Sequence, residues 1–136
     1  MVESDLRVRY SETDRMGIVY HAHYIVWFEI GRTEFCRAGG VPYRNLEDGG
    51  LFILVTGVDC TYRQPARYDD PIRVLTALPV LSRRGMDFLY EVHGEAGRLA
   101  NGISRHVFAG ADGRPTRAPQ DVIEKLEAFR TQTADS

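Results

Sequence analysis

Tyr24-Ile25-Val26-Trp27-Phe28-Glu29-Ile30-Gly31-Arg32-Thr33-Glu34-Phe35-Cys36-Arg37 is the stretch on which the architecture turns. Ile25, Phe28, Phe35 and Cys36 fall near one face of a helix, but Val26, Trp27 and Ile30 are apolar as well. A helix that is apolar on most sides is a buried one. Ala38-Gly39-Gly40 then stops it, since glycine suits the left-handed residue that follows a last turn. The remainder of the chain must supply a cover for this helix.

Outward from that segment, the pattern changes to strand. Upstream, Leu6, Val8 and Tyr10 alternate with Arg7 and Arg9, which predicts a short strand. The stretch 11–23 between strand and helix is irregular. Downstream, 51–63 is a long run rich in branched residues. Ile72, Val74, Thr76 and Leu78 alternate, and so do Met86, Phe88, Tyr90 and Val92. A fourth run, 100–108, has Ile103 and Val107 as its apolar members. Gly85, Gly94–Gly97 and Asp112–Gly113 mark turns. Val122, Ile123, Leu126 and Phe129 share a face of a terminal helix at about 119–130. Strands at hairpin spacing make an antiparallel sheet. The expected class is therefore α+β, an antiparallel curved sheet wrapped around one long buried helix. Such a half-open sheet has edges that pairing in a dimer would cover.

Composition bounds the function. At 136 residues, one domain over 1–136 is expected, since domains run about 100–200 residues. The 43% apolar and 26% charged fractions exclude disordered, collagen-like and coiled-coil chains. The net charge of −2 gives no basic footprint for nucleic acid. No apolar run approaches the roughly 18 residues of a membrane span, and the first residues carry no signal-peptide pattern. The expectation is a cytoplasmic chain. Cys36 and Cys60 stand apart and read as buried free thiols.

The unusual residues gather at Asp14-Arg15-Met16-Gly17-Ile18-Val19-Tyr20-His21-Ala22-His23-Tyr24. They sit just ahead of the helix, where free N–H groups and the positive dipole end favour negative charge. Such N–H groups can hold a developing oxyanion. A nearby carboxylate can activate water or attack a carbonyl. These parts suit acyl hydrolysis. Each has a plainer reading too. An aspartate before a helix is often only a cap. Glu29 is a rival carboxylate, although a Glu29–Arg32 pair at i, i+3 is the simpler account. His21 and His23 lack a third ligand at helical spacing, so no metal is expected, and no cofactor motif is present.

The segment Tyr10-Ser11-Glu12-Thr13-Asp14-Arg15-Met16-Gly17-Ile18-Val19-Tyr20-His21-Ala22-His23-Tyr24, with Trp27-Phe28-Glu29 and Arg32-Thr33-Glu34, resembles the signature of hotdog-fold acyl-CoA thioesterases. The branch is the 4-hydroxybenzoyl-CoA thioesterase type, including the Tol–Pal-associated enzymes. The likeness continues through Tyr62-Arg63-Gln64-Pro65-Ala66-Arg67-Tyr68-Asp69-Asp70 and the Arg83–Arg84 turn. It implies a hotdog fold and hydrolysis of an acyl-CoA, or of an acyl-carrier-protein thioester, in a homodimer or homotetramer without a cofactor. Asp14 would be the catalytic carboxylate, as nucleophile or base. The His21 N–H would bind the thioester oxygen, with a side-chain role for His21 common in the branch. Gly17 would allow close backbone approach. Tyr20, Arg83 and Arg84 would contact substrate, the arginines through phosphates of coenzyme A. His23 stands where the family usually has asparagine, a stronger helix cap. A hotdog dehydratase or hydratase, or a non-catalytic acyl-binding module, are the competing readings.

Overall fold

The computed structural model describes residues 1–134. The chain runs β1 (Val2–Arg7), a single 3-10 turn (Tyr10–Glu12), α1 (His23–Ala38), α2 (Tyr43–Asp48), β2 (Phe52–Tyr62), β3 (Pro71–Leu81), β4 (Gly85–Gly94), β5 (Gly97–Ala109) and α3 (Gln120–Thr133). The strands form one sheet in the order β1-β3-β4-β5-β2. Every neighbouring pair is antiparallel. Register shifts at Val55/Gly57, Ala77/Val80 and Val92/His93 interrupt the ladders; such irregularities bend a sheet and increase its twist. The sheet curves over α1, as the sequence pattern requires.

The helix seats itself through aromatic contacts. Phe28 stacks on Tyr90 of β4 at 4.3 Å and 4°. Phe35 meets Phe88 edge-on at 5.6 Å and Phe129 of α3 at 5.0 Å. Two glycines make this close approach possible. A Cβ on Gly31 would run into the Thr76 hydroxyl, and one on Gly102 would strike both the Phe28 ring and the Asp59 carbonyl.

Several expectations need correction. The first strand is not 6–10 but starts at Val2, and Tyr10 is 77% exposed on the 3-10 turn. The chain bends there because the Arg9 N–H donates to the Glu12 carboxylate at 2.7 Å. Helix α1 is buried on one side only: Trp27, Phe28, Phe35 and Cys36 are covered, whereas Ile25 (40%), Val26 (40%) and Ile30 (37%) are open. In β5 the inward face belongs to Gly102, Ser104, His106 and Phe108, while Ile103 and Val107 are half-buried on the other face. Small and polar residues stand inward because the rings of Phe28 and Tyr90 already fill that space. The short α2 had no clear sequence pattern. No ion pair joins Glu29 and Arg32 among the described residues; Glu29 is exposed, whereas Arg32 is buried beside the phenol groups of Tyr90 and Tyr43.

A buried polar chain runs beneath the helix. The Tyr90 hydroxyl and Ser104 lie at 2.6 Å, and Ser104 and His106 Nε2 at 2.7 Å. Burial, helped by the Arg32 charge, pushes His106 down to about 4, so its ring is neutral near pH 7.

Glu12 ties the helix to the loop that precedes it. Its carboxylate is 2% exposed and accepts the Arg9 N–H at 2.7 Å and the Trp27 indole N–H at 3.0 Å. Its carbonyl accepts the Tyr20 N–H at 2.8 Å. Burial pushes the carboxyl upward, but the two hydrogen bonds and the Arg9 charge outweigh it, and the group lies below its ordinary value. The carboxylate thus contributes stability above the unfolded-state value near 4.5, and that stability is lost as pH falls through the lower folded value. Glu12→Gln keeps an oxygen for Trp27 but turns an amide donor toward the Arg9 N–H. Chemical denaturation at pH 7 should show a loss of about 1–3 kcal/mol, shrinking in acid. Equal stabilities for the two proteins at pH 7 would remove Glu12 from this role.

Candidate active site

The loop carrying Asp14 is a small closed hairpin. Thr13 bridges Val19, the Asp14 N–H donates to the Ile18 carbonyl at 2.8 Å, and the Gly17 N–H donates to the Asp14 carbonyl at 3.0 Å. Gly17 closes the turn at φ +77°, a conformation that glycine adopts without the strain of a side chain. The Val19 N–H is held by the Ala66 carbonyl, which fastens the hairpin to the segment after β2. Asp14 is half-buried. Its Oδ1 accepts the Met16 N–H at 2.8 Å, while Oδ2 has no hydrogen-bond partner among the described residues. The plain turn-forming role is therefore real, and it leaves one carboxylate oxygen available.

The start of α1 has no side-chain cap. It is instead wound by short-range backbone bonds, from His23 N–H to Tyr20 C=O at 3.0 Å, Tyr24 to His21 at 3.3 Å and Ile25 to Ala22 at 3.2 Å. This answers the weak capping expected of His23: the first turn closes through its own carbonyls. The N–H groups left without acceptors, among the described residues, are those of His21 and Ala22. They lie where an anion at the helix N-terminus is favoured.

His21 lines a cavity of about 270 Å³ together with Ile18, Val19, Tyr24, Tyr62 and Arg63. The walls are mainly apolar, with an arginine and an imidazole at the rim. Tyr62 donates its hydroxyl to the His21 carbonyl at 2.8 Å. Arg63 uses Nε on Asn101 Oδ1 at 3.2 Å and has no carboxylate partner among the described residues. Tyr20 is 48% exposed and leans over the His21 ring at 4.4 Å.

The structure thus brings together Asp14, Gly17, Tyr20 and His21 on one loop. No hydrogen bond or ion pair joins the side chains of Asp14 and His21. Arg83 and Arg84 lie elsewhere. They occupy the β3–β4 turn next to Gly85, whose β5 partner Val107 faces Leu54. Tyr62 is eight residues further along β2, about 26 Å at ordinary strand rise. Arg83 is also committed, giving Nε to the Ala118 carbonyl at 2.9 Å. Among the described residues there is no metal-binding cluster of His, Cys, Asp and Glu, and no helix long and apolar enough to cross a membrane.

Sequence reasoning did not single out Glu12, Tyr62 or Arg63. Glu12 and Tyr62 stood inside the quoted motifs, but their partners, Trp27 and the His21 carbonyl, lie 15 and 41 residues away. No local pattern announces such contacts.

Comparison with known proteins identifies the family and the fold. Residues 8–126 match the family model of the thioesterase-like superfamily. The acyl-CoA thioester hydrolase YbgC of Escherichia coli O6:H1 is 33% identical over 85 residues, 62% of either chain. A hypothetical protein of Thermus thermophilus superposes with TM-score 0.90 at 37% identity, covering 93% of this chain and 98% of that one. The DHNA-CoA thioesterase of Staphylococcus aureus superposes with TM-score 0.87 at 26% identity, covering 96% and 93%. The α+β sheet-over-helix architecture is the hotdog fold, and the chain belongs to the thioesterase-like superfamily.

Proposed function

We propose that this thioester hydrolase cleaves acyl-CoA to a carboxylic acid and coenzyme A, with Asp14 as the reacting carboxylate and the His21 and Ala22 N–H groups as oxyanion donors. The observation that carries the reading is a pair of consecutive unsatisfied N–H groups, of which His21 lines an apolar cavity, on the same loop as a carboxylate with one free oxygen. The thioester oxygen sits against the two N–H groups. Asp14 either deprotonates water or attacks the carbonyl carbon. On both routes charge builds on that oxygen as the thiolate of coenzyme A departs: water activated by Asp14 adds directly, its proton passing by way of Asp14 to the thiolate, or Asp14 forms an acyl anhydride that water then hydrolyses, which frees Asp14 and supplies the acid's second oxygen. The fixed N–H groups stabilise the charge without reorganising. His21 also presents its ring at the rim, and Tyr20 covers it.

The site is divided between two copies of the chain. Strand β2 is a sheet edge, with Leu54 (40%) and Val55 (49%) exposed, and the outer face of α1 adds Ile25, Val26 and Ile30. The opposite edge, β1, is protected by exposed charges: Arg73 pairs with Glu3 and Asp5 there. Pairing two β2 strands antiparallel about a two-fold axis covers the apolar edge. It also carries the other protomer's Arg83–Arg84 turn to the Tyr62 end, about three strand spacings or roughly 14 Å away. That separation suits the pantetheine arm between the thioester and the phosphates; the separation within one chain exceeds it. Arg84 and the terminal nitrogens of Arg83 are then the phosphate ligands.

Four measurements test this reading. Asp14→Asn preserves the acceptor for the Met16 N–H, so it should fold normally while kcat falls at least about 100-fold at little changed KM. Glu29→Gln should stay active; if it is dead and Asp14→Asn retains a tenth of the wild-type rate, the carboxylate is misassigned. Sedimentation at micromolar concentration should show a dimer or tetramer, and a stable 15.4 kDa species would refute the shared site. Arg84→Ala should raise KM for acyl-CoA about tenfold and leave a short thioester lacking the nucleotide unaffected; equal loss on both substrates would make Arg84 structural.

A further inference from the structure

The geometry points to Tyr62 as a positioning residue whose hydroxyl fixes the His21–Ala22 peptide plane and so aims the Ala22 N–H at the thioester oxygen. This rests on the reading of that N–H as an oxyanion donor. A trans peptide is planar, so the carbonyl of His21 and the N–H of Ala22 point in opposite directions within one rigid unit. Whatever holds the carbonyl holds the N–H. Locally the carbonyl receives only the Tyr24 N–H, at 3.3 Å, a long bond. The shorter bond, 2.8 Å, comes from the Tyr62 hydroxyl on a different element.

Tyr62 is suited to the task. It ends β2, so its backbone is set by pairing with Ala100 of β5. Its ring lies edge-on against Tyr24 at 5.1 Å and 86°, and against His21 at 6.2 Å and 87°. Burial and the adjacent Cys60 push its phenol up to about 12, so it remains a donor through the neutral range. No side chain caps α1, so the peptide just before the helix depends on this cross-link to the sheet. The hydroxyl does not act on substrate; its proton is committed to the His21 carbonyl.

The test is Tyr62→Phe, which keeps the ring and deletes the bond. Its kcat should fall about tenfold, with KM within about twofold of wild type and an unchanged melting temperature. The Ala22 amide, followed by ¹⁵N NMR, should shift and exchange faster with solvent. Tyr62→Leu, lacking the ring, should be no better than Tyr62→Phe in kcat. If Phe restores full kcat with the Ala22 amide unmoved, Tyr62 acts by packing alone and the positioning role is overturned. If the amide moves and kcat does not, the Ala22 N–H is not an oxyanion donor, and the proposed site falls with the inference. Asp14→Asn in the same assay separates the two failures, because it reports on the hydrolytic carboxylate alone.

Discussion

The buried Glu12 carboxylate is the constraint on which the candidate loop depends. It is the one acidic side chain taken fully out of water among the described residues, and its acceptors face donors from two directions, the Arg9 N–H and the Trp27 indole. A buried carboxylate is tolerable only when its oxygens are so satisfied. Satisfying them bends the chain after Val8, turns Tyr10 outward and pins the base of the loop to the first turns of α1. The Tyr20 N–H, bonded to the Glu12 carbonyl, closes the loop's far end against the same residue. The loop between these two points has little freedom, which is what a preorganised site requires.

The inner face of the sheet shows a second constraint, that of volume. Phe28 and Tyr90 stack almost parallel beneath the helix, so the strand facing them carries Gly102 and Ser104 rather than large side chains. Interiors pack to crystal-like density, and bulky rings on one element demand small residues opposite. The polar atoms admitted by this arrangement, Tyr90, Ser104 and His106, bond to one another in a chain. His106 stays neutral because ionising it would bury a charge, an effect to which the nearby Arg32 charge adds.

One protomer leaves part of its surface unfinished. Its β1 edge is short and charged, whereas its β2 edge and the outer side of α1 expose branched apolar residues. The same asymmetry separates the pieces of the proposed site, with the helix entrance at one end of the sheet and the Arg83–Arg84 turn at the other. The proposed two-fold pairing relieves both conditions with one contact.

By itself, the sequence determined the elements whose pattern is local. The alternation of Ile72–Leu78 and Met86–Val92 named the inward faces of β3 and β4, and the density of apolar residues in Tyr24–Arg37 required a helix under a sheet. The loop from Asp14 to His21 stood out in the sequence as the candidate site because its residue types and its position before a helix are both sequence properties. Tertiary structure decided what depends on partners distant in the chain. Ser104 and His106 face inward because of two rings on other elements, Arg32 is buried beside Tyr90 and Tyr43 without an ion pair to Glu29, and Tyr10 lies outside the first strand on the turn that buries Glu12. Tyr62 meets the His21 carbonyl across 41 residues, from the end of a strand in the curved sheet. Periodicity reports which face of an element is apolar; which atom meets which across 41 residues is set by packing, and packing is written in no single segment.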